Sequence, residues 1–329
     1  MVKPNVPALV LAPMEGITDA PMRALQCSTG AFTHAVSEFI RVSSDALPSK
    51  IFLRDVPELA NGGLTPTGVP VQIQILGGDP ELMALSAVAA CEAGATSIDI
   101  NFGCPAKTVN RHDGGASLLK YPDRIRGIVA AVRSAVPVAF PVSAKLRLGW
   151  DSINSIHKNA AMAAEGGASW ITIHARTRMQ GYMPPVFWPN IGQVRTELDI
   201  PVVANGDIWS FDDFRRCRDE TGCLHYMIGR GALADPLLSC QIAHELGILK
   251  GESSTQIWKD DDWIPLLKGL IRYTDHYGNP QPTRNVLRFK QWLKLARNHG
   301  NFQHFEGIKQ SRTIDEFFEM LSTAVAVFA

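Results

Sequence analysis

The chain has 329 residues, 46% of them hydrophobic, a length that suits a barrel of about 250 residues with an appendage. Its 32 basic and 32 acidic residues balance, which excludes a global positive charge as the basis of nucleic-acid binding, so any basic surface must be local. Six cysteines without a CxxC pair argue against a zinc site and a disulfide framework. The sequence has no apolar run of roughly 18 residues and no signal-peptide pattern, which argues against a membrane span and secretion. We therefore expect a metal-free protein of the cytoplasm, and we also expect a monomer.

Eight short apolar runs alternate with segments of helical pattern. The predicted strands are Leu9–Met14, Ala35–Phe39, Pro70–Leu76, Ser97–Gly103, Pro141–Gly149, Trp170–Thr177, Ile200–Asp207 and Tyr226–Ala232. Helices are predicted at Pro80–Gly94, Asp123–Val136, Ser152–Gly166 and Leu237–Leu246. Eight successive β–α units predict an α/β protein with a closed parallel (β/α)8 TIM barrel. An open doubly wound sheet is the alternative, but the sequence after the first strand is not the GxGxxG that a dinucleotide site would use.

After the last barrel helix the composition changes. The segment Gly251–Gln256 is polar, and the remainder has a helical pattern throughout. We therefore predict a TIM-barrel catalytic domain over residues 1–248 and a small helical domain over residues 249–329.

One helix of this tail is predicted to have a basic face and an apolar face. The cations are Arg284, Arg288, Lys290, Lys294 and Arg297. The apolar residues, which recur at helical spacing, are Phe289, Trp292, Leu293 and Ala296. A basic face alone is more often solvated than bound to RNA, so its meaning depends on the rest of the chain.

Chemistry in a TIM barrel takes place at the C-terminal ends of the strands, and here the predicted strand ends are rich in polar residues. They include Glu15, Glu38, Gln74, Asn101, Cys104, Lys145, Arg147, His174, Arg176, Asn205, Asp207 and Arg230. The last two strands end in the glycine-rich turns Asn205–Asp207 and Gly229–Gly231, where this fold usually binds phosphate. We therefore predict a phosphate site there, with Arg230 as its cation.

Lys145, in the middle of the fifth strand, suits two chemistries. A cation at the pyrimidine edge of a flavin ring stabilises the anionic reduced form, which would indicate flavin mononucleotide, FMN. A buried lysine can also form a Schiff base with a carbonyl substrate. The residues alone leave both interpretations open.

Six segments resemble, in order, the successive motifs of the tRNA-dihydrouridine synthases, flavin enzymes that reduce uridine in transfer RNA. They are LAPMEGITDAPMR, DINFGCPAKTVN with the following DGGASLL, AKLRLGW, HARTRMQGY, VVANGDI and MIGRGAL. The resemblance runs from Leu9 to about Leu233 and continues into the tail. It implies NADPH as electron donor, tRNA as substrate with contacts from Asn101 and Tyr182, and FMN as cofactor. The implied FMN-binding residues are Pro13, Met14, Glu15, Gln74, Lys145, His174, Asn205, Gly206, Asp207, Gly229 and Arg230.

Cys104 matches the catalytic thiol of that family. Reducing the C5–C6 double bond of uracil requires a hydride at C6, which the resemblance assigns to reduced FMN, and a proton at C5. A cysteine with a pKa near ~8.5 is mostly protonated at neutral pH, so Cys104 is the predicted proton donor. Cys27, Cys91 and Cys240 lie in helical segments and are predicted to be inert.

Two further segments resemble the bacterial C-type subfamily, which modifies position 16 of the D-loop. They are RFKQWL at Arg288–Leu293 and KLRLGWDS at Lys145–Ser152. The resemblance implies tRNA contacts by Arg41, Arg288 and Lys290, with the last basic contact at Lys309 or Arg312.

Three other functions compete with this interpretation. A flavin barrel acting on a free pyrimidine, such as a dihydroorotate or dihydropyrimidine oxidoreductase, would need no basic helical tail. A Schiff-base lyase that uses Lys145 would need no flavin. A catalytically silent RNA-binding protein would need neither Cys104 nor Lys145.

Overall fold

The computed structural model describes residues 1–110, 113–250, 260–278 and 282–326. Its strands are β1 Ala8–Leu11, β2 His34–Val36, β3 Ile40–Arg41, β4 Val71–Leu76, β5 Ile98–Phe102, β6 Val142–Arg147, β7 Ile171–His174, β8 Val202–Asn205 and β9 His225–Ile228. All pair in parallel; β1 pairs with β9, and β2 pairs with both β1 and β4, which closes the ring. The predicted TIM barrel is confirmed.

Most strands are shorter than predicted at their carboxyl ends, although β4 ends at Leu76 as predicted. The predicted strand Ile200–Asp207 stops at Asn205, because Gly206 and Asp207 turn into the left-handed region with φ of 116° and 49°. The predicted strand Ala35–Phe39 was wrong as a single element. Only its first two residues lie in a strand, β2, and the chain is irregular from Ser37 until β3 begins at Ile40. In this break the Ser37 hydroxyl accepts the N–H of Gln74 at 3.0 Å, where a regular ladder would use a backbone carbonyl.

Helices follow most of the strands. They are α1 Ala20–Cys27, α2 Ser49–Asp55, α3 Pro80–Glu92, α4 Lys107–Asn110, α5 Pro122–Ala135, α6 Ser155–Glu165, α7 Trp188–Glu197, α8 Phe211–Thr221, α9 Arg230–Ala234 and α10 Leu238–Glu245. The four predicted barrel helices correspond to α3, α5, α6 and α10. The start of α3 shows why such predictions succeed: Pro80 occupies its first position, and the Asp79 carboxylate accepts the N–H of Leu82 at 2.9 Å.

The barrel strands present one face to the helices and the other to the barrel interior. Outward residues such as Ile73 and Ile100 are completely buried among helix side chains. The alternate, inward residues include polar ones, such as Gln72 and Ser143 at the base and Lys145 nearer the mouth. The alternation therefore lines the upper part of the barrel with groups that can do chemistry.

The tail consists of α11 Trp263–His276, α12 Pro282–His299, α13 Phe305–Ile308 and α14 Ile314–Ala326. The predicted apolar stripe of α12 is confirmed, since Phe289, Trp292, Leu293 and Ala296 are all buried. These residues share one hydrophobic cluster with Met22 and Leu25 of α1 and Leu233 of α9, so the tail is packed against the barrel. The predicted polar segment Gly251–Gln256 lies outside the described residues.

No helix within the described ranges combines the length and the apolar content that crossing a membrane requires. The same part of the chain contains no group of three or more His, Cys, Asp or Glu side chains arranged to hold a metal ion.

Candidate functional site

A cavity of about 350 Å³ opens at the carboxyl ends of the barrel strands. The predicted catalytic and cofactor residues and two of the predicted tRNA contacts line it: Pro13, Met14, Glu15, Gln74, Asn101, Cys104, Lys145, His174, Tyr182, Asn205, Gly206, Asp207, Gly229 and Arg230. Residues far apart in the sequence meet here because the strand ends of a closed barrel surround one mouth.

The loop after β5 holds Cys104 in place through two amide side chains. Asn101 Oδ1 accepts the backbone N–H groups of Gly103 and Cys104, each at 2.9 Å. Asn110 Nδ2 donates to the Cys104 carbonyl at 3.0 Å, and its Oδ1 accepts from Arg178 Nε at 3.1 Å. Both ends of the cysteine residue are therefore fixed while its side chain faces the cavity.

The Cys104 thiol is half-buried at the cavity wall. Burial raises its pKa above the ordinary value, although Arg147 and Lys145 nearby act in the opposite direction. The raised pKa keeps the thiol protonated at neutral pH. The group therefore carries a proton at neutral pH and is a poor thiolate nucleophile.

A buried chain of hydrogen bonds fixes the floor of the cavity. Asn101 Nδ2 donates to Gln74 Oε1 at 2.8 Å, and Gln74 Nε2 donates to Asp99 Oδ2 at 2.6 Å. The Ser143 hydroxyl donates to the other oxygen of Asp99 at 2.5 Å. Every partner is buried, so the orientation of both cavity-lining amides is determined by contacts below them.

Lys145 lies beside this network. Burial and the neighbouring Arg147 lower its pKa to about 8, while the Asp99 carboxylate acts in the opposite direction. Burial also raises the pKa of Asp99, to about 6. The charges of Lys145 and Asp99 therefore favour each other and oppose the effect of burial on both groups.

Arg147 joins three parts of the mouth. Its Nε donates to the Gly103 carbonyl at 2.8 Å, and its Nη1 donates to the carbonyls of Thr177 at 3.1 Å and Gly181 at 2.7 Å. Its guanidinium also lies 5.2 Å from the ring centroid of Tyr182. Arg147 thereby links the loop that carries the cysteine to the loop that carries Tyr182.

His174 supplies an unpaired polar atom to the site. Its Nδ1 is buried and has no hydrogen-bond partner within the described part of the chain. Burial, together with Arg147 and Lys145, lowers the pKa of this imidazole well below its ordinary value, so the ring is neutral. A neutral imidazole at the cavity wall with an unused nitrogen has the capacity for a further hydrogen bond.

The turns after β8 and β9 form the other side of the cavity. Asp207 binds two cations: Arg176 at its Oδ2 and Arg230, whose Nη2 donates to Oδ1 at 3.0 Å. A Cβ at Gly206 would lie 3.2 Å from the Ala175 nitrogen and 3.3 Å from His174 Nε2, and φ there is 116°. The turn therefore requires glycine, and the Asp207 side chain orients arginines rather than facing a ligand alone.

The remaining predicted tRNA contacts lie outside the cavity. Arg41 is half-buried at the end of β3. Arg288 donates to the Asp19 carboxylate at 2.6 Å with only 12% of its side chain exposed, and Lys290 donates to the carbonyl of Ser311. Lys309 pairs with Glu306, and Arg312 is exposed.

Several residues of the site were not assigned a role from the sequence. Arg147, Arg176 and Asn110 were visible as polar residues near strand ends, but their carbonyl and carboxylate partners were not. Asp99 lies in β5, two residues before Asn101. Between Ile98 and Ile100 it looks like part of a buried apolar strand, so the sequence did not single it out. Trp209, which lines the cavity two residues after Asp207, carried no signal, since an aromatic residue before a helix is common in core packing.

A model of the family described as dihydrouridine synthase matches residues 10–326. A protein of Shewanella oneidensis named tRNA-dihydrouridine(16) synthase is 41% identical over 319 residues, which cover 96% of this chain and 98% of that protein. A protein of the same name from Haemophilus influenzae is 40% identical over 311 residues, covering 94% and 97%. One from Cupriavidus necator is 46% identical over 250 residues, covering 76% and 77%.

Among solved structures, histamine dehydrogenase from Rhizobium sp. 4-9 superimposes with a TM-score of 0.54 at 16% identity. The match covers 73% of this chain and 46% of that one. At this identity the likeness concerns the barrel fold alone.

Proposed function

The chain belongs to the dihydrouridine synthase family and is an enzyme, and from that membership we propose that it reduces uridine 16 in the D-loop of tRNA to 5,6-dihydrouridine. FMN is the proposed cofactor and NADPH the proposed electron donor. The single observation that carries the proposal is the convergence of a protonated Cys104 thiol, the Lys145 cation and the two phosphate-type turns on one cavity. The name of the relatives supports position 16.

The residues around the cavity fit FMN. The unpaired Nδ1 of His174 calls for a ligand, and the Gly206 and Gly229 turns with Arg230 suit its phosphate. Gln74 and Lys145 would border the ring, and the loop Pro13–Glu15 would cover its edge. A bound, reduced FMN supplies hydride to C6 of the base.

The chain itself supplies the proton. Cys104 Sγ would donate to C5 of the uracil, and the amides of Asn101 and Asn110 fix the backbone that carries it. Asn101, oriented by Gln74, would donate the second hydrogen of its Nδ2 to the polar edge of the base, because its Oδ1 already accepts two backbone N–H groups. Tyr182, 56% exposed at the rim, is placed to contact the nucleotide as it enters.

The target base must leave the RNA stack to reach the cavity. Unstacking requires a few kcal/mol, and less in a loop than in a helix, which favours a D-loop substrate. Phosphate contacts would hold the folded RNA while the base is turned in. For this we propose Arg41 at the rim with the basic face of α12, so that residues 1–248 form the catalytic domain and residues 249–329 the tRNA-binding domain.

One observation favours a second candidate function. The lowered pKa of Lys145 is also what a Schiff-base lysine requires. That lyase would be colourless as purified, whereas a flavin enzyme is yellow.

The test uses the purified protein. We expect a flavin absorption spectrum, release of FMN on denaturation, and NADPH oxidation that depends on tRNA lacking dihydrouridine. A protein without flavin contradicts the proposal. FMN with turnover of free uracil or orotate, and none of tRNA, replaces it with the free-pyrimidine oxidoreductase.

A further inference from the structure

The tail helix α12 ends beside the phosphate side of the cavity. Its last residue, His299, stacks on Trp209 with ring centroids 3.9 Å apart and ring planes 12° apart. The Arg230 guanidinium lies over the same indole, 4.8 Å from the ring centroid, and 4.6 Å from the ring centroid of Tyr182. A row of flat groups therefore runs from the tail to the rim of the cavity.

The protonation state of His299 favours this stack. Partial burial and the nearby Arg230 cation lower its pKa, so at neutral pH the ring carries no charge that would repel the guanidinium. A neutral imidazole lying parallel to an indole gains from dispersion and from exclusion of water.

Trp209 lines two cavities. Its backbone N–H donates to Asp213 Oδ2 at 3.2 Å, and the residue lines both the main cavity and a second cavity of about 190 Å³. The second cavity lies between the barrel and the tail, and His299 forms part of its wall. Without the imidazole, the indole would have open space into which it could turn.

The tail also supports the helix that begins at Arg230. Trp292 Nε1 donates to the Leu233 carbonyl of α9 at 2.8 Å. Just after α12, a Cβ at Gly300 would lie 2.1 Å from the Ala234 carbonyl oxygen, so the two backbones are in direct contact. The tail thus contacts α9, the helix that carries Arg230, and also contacts the indole over which the Arg230 guanidinium lies.

We propose that His299 is a positioning residue of the cofactor site: stacked on Trp209, it holds the indole against Arg230 and so fixes the guanidinium for the FMN phosphate. The inference rests on the proposed function, because it takes the phosphate as the ligand of Arg230. Its consequence is that the tail contributes to flavin retention as well as to tRNA binding.

The experiment measures the FMN dissociation constant of the full-length protein, stripped of flavin and titrated with FMN while flavin fluorescence is followed. His299→Ala should weaken FMN binding by about three- to tenfold, the range typical of one aromatic stack. His299→Phe, which retains a flat ring, should restore most of the affinity. Asn298→Ala, an exposed neighbour on the same helix, should bind FMN as the wild type does.

Two further measurements test whether His299 acts on FMN binding through the Trp209 indole. In a Trp209→Ala background, His299→Ala should have no additional effect on the dissociation constant, because the residue acts through the indole. The urea midpoint of the flavin-free protein should be only slightly lower for His299→Ala than for Asn298→Ala, because His299 loses a single stack at an exposed position.

Unchanged FMN affinity in His299→Ala overturns the inference, as does an equal additional loss of affinity in the Trp209→Ala background. Loss of affinity that His299→Phe does not restore and that follows a lowered urea midpoint also overturns it. Failure of the wild type to bind FMN is a different result, since it removes the proposed function itself.

Discussion

The barrel mouth and the basic face of α12 were both predicted as binding surfaces from residue pattern, but they differ in the structure. At the mouth, all the predicted cofactor residues surround one cavity, and His174 keeps an unused buried nitrogen. On α12, Arg288 binds Asp19, Lys290 binds the Ser311 carbonyl and Arg297 binds Glu306. Arg284 and Lys294 are exposed cations that pair with no acid among the described residues.

The difference shows what each kind of pattern contains. An inward-facing polar residue at the end of a barrel strand is directed to the mouth by the fold. A cation on a helix face has a long, flexible side chain that binds the nearest acid or carbonyl, and that partner is set by tertiary packing. The fold class therefore predicts that polar strand-end side chains meet at the mouth. It does not predict which α12 cations remain unpaired and able to bind phosphate.

The largest effect is expected at the mouth. Cys104→Ala should lower dihydrouridine formation by about 10²- to 10⁴-fold, the usual contribution of a general acid, while FMN content and flavin reduction by NADPH stay as in the wild type. Rates on unmodified tRNA give the comparison. Cys91→Ala, a half-buried thiol in α3, is the matched control and should keep full activity. Near wild-type activity in Cys104→Ala would mean that another group protonates the base.

The phosphate side should give the next largest effect. Arg230→Ala removes a charge-assisted contact to phosphate, of a class that contributes about 1.5–3 kcal/mol, or about 10- to 150-fold in the FMN dissociation constant. Fluorescence titration of the flavin-free protein measures it. Arg126→Ala, an exposed arginine on α5, is the control. Equal FMN affinity in Arg230→Ala and wild type would show that Arg230 pairs with Asp207 and does not bind the phosphate.

The pH dependence tests Lys145. Its lowered pKa of about 8 means that the side chain is charged below that pH and neutral above it. If the charge is needed, the rate falls as pH rises through 8, by about tenfold at one pH unit above the pKa. Lys145→Arg keeps the charge throughout, so its rate should be flat from pH 7 to 9. A wild-type rate that stays flat over the same range contradicts this role.

The smallest effect separates the cations of α12. Arg284→Ala with Lys294→Ala should lower tRNA affinity and flatten its salt slope by roughly 0.7–0.9 for each phosphate that the variant no longer neutralises. Arg288→Ala with Lys290→Ala tests the two cations predicted from the sequence to bind tRNA. If these two act inside the protein, the pair should lower the stability of the fold and leave the salt slope unchanged. A flatter salt slope of tRNA affinity in Arg288→Ala with Lys290→Ala would show that these two cations contact tRNA phosphates, as the sequence predicted.

Much of the fold could be predicted because eight apolar runs with helical segments between them admit few architectures. What could not be predicted depends on partners that are distant in sequence. Arg288 and Asp19 are 269 positions apart, and nothing local to either indicates the pair. The Trp209–His299 stack and the contact between the Ser37 hydroxyl and Gln74, in the break between β2 and β3, also join residues that are distant in sequence. Local pattern determines which face a residue is on, and packing determines what it contacts there.

The central claim is that the cavity reduces uridine 16 of tRNA with Cys104 as proton donor. The direct measurement is a map of dihydrouridine in tRNA from a strain that lacks its own tRNA-dihydrouridine(16) synthase and is supplied with this chain, read by the mass of the two added hydrogen atoms in ribonuclease fragments. We predict dihydrouridine at position 16 with the wild type and uridine there with Cys104→Ala. An unmodified position 16 in the presence of soluble, FMN-loaded wild-type protein, or modification at another uridine instead, would contradict the claim.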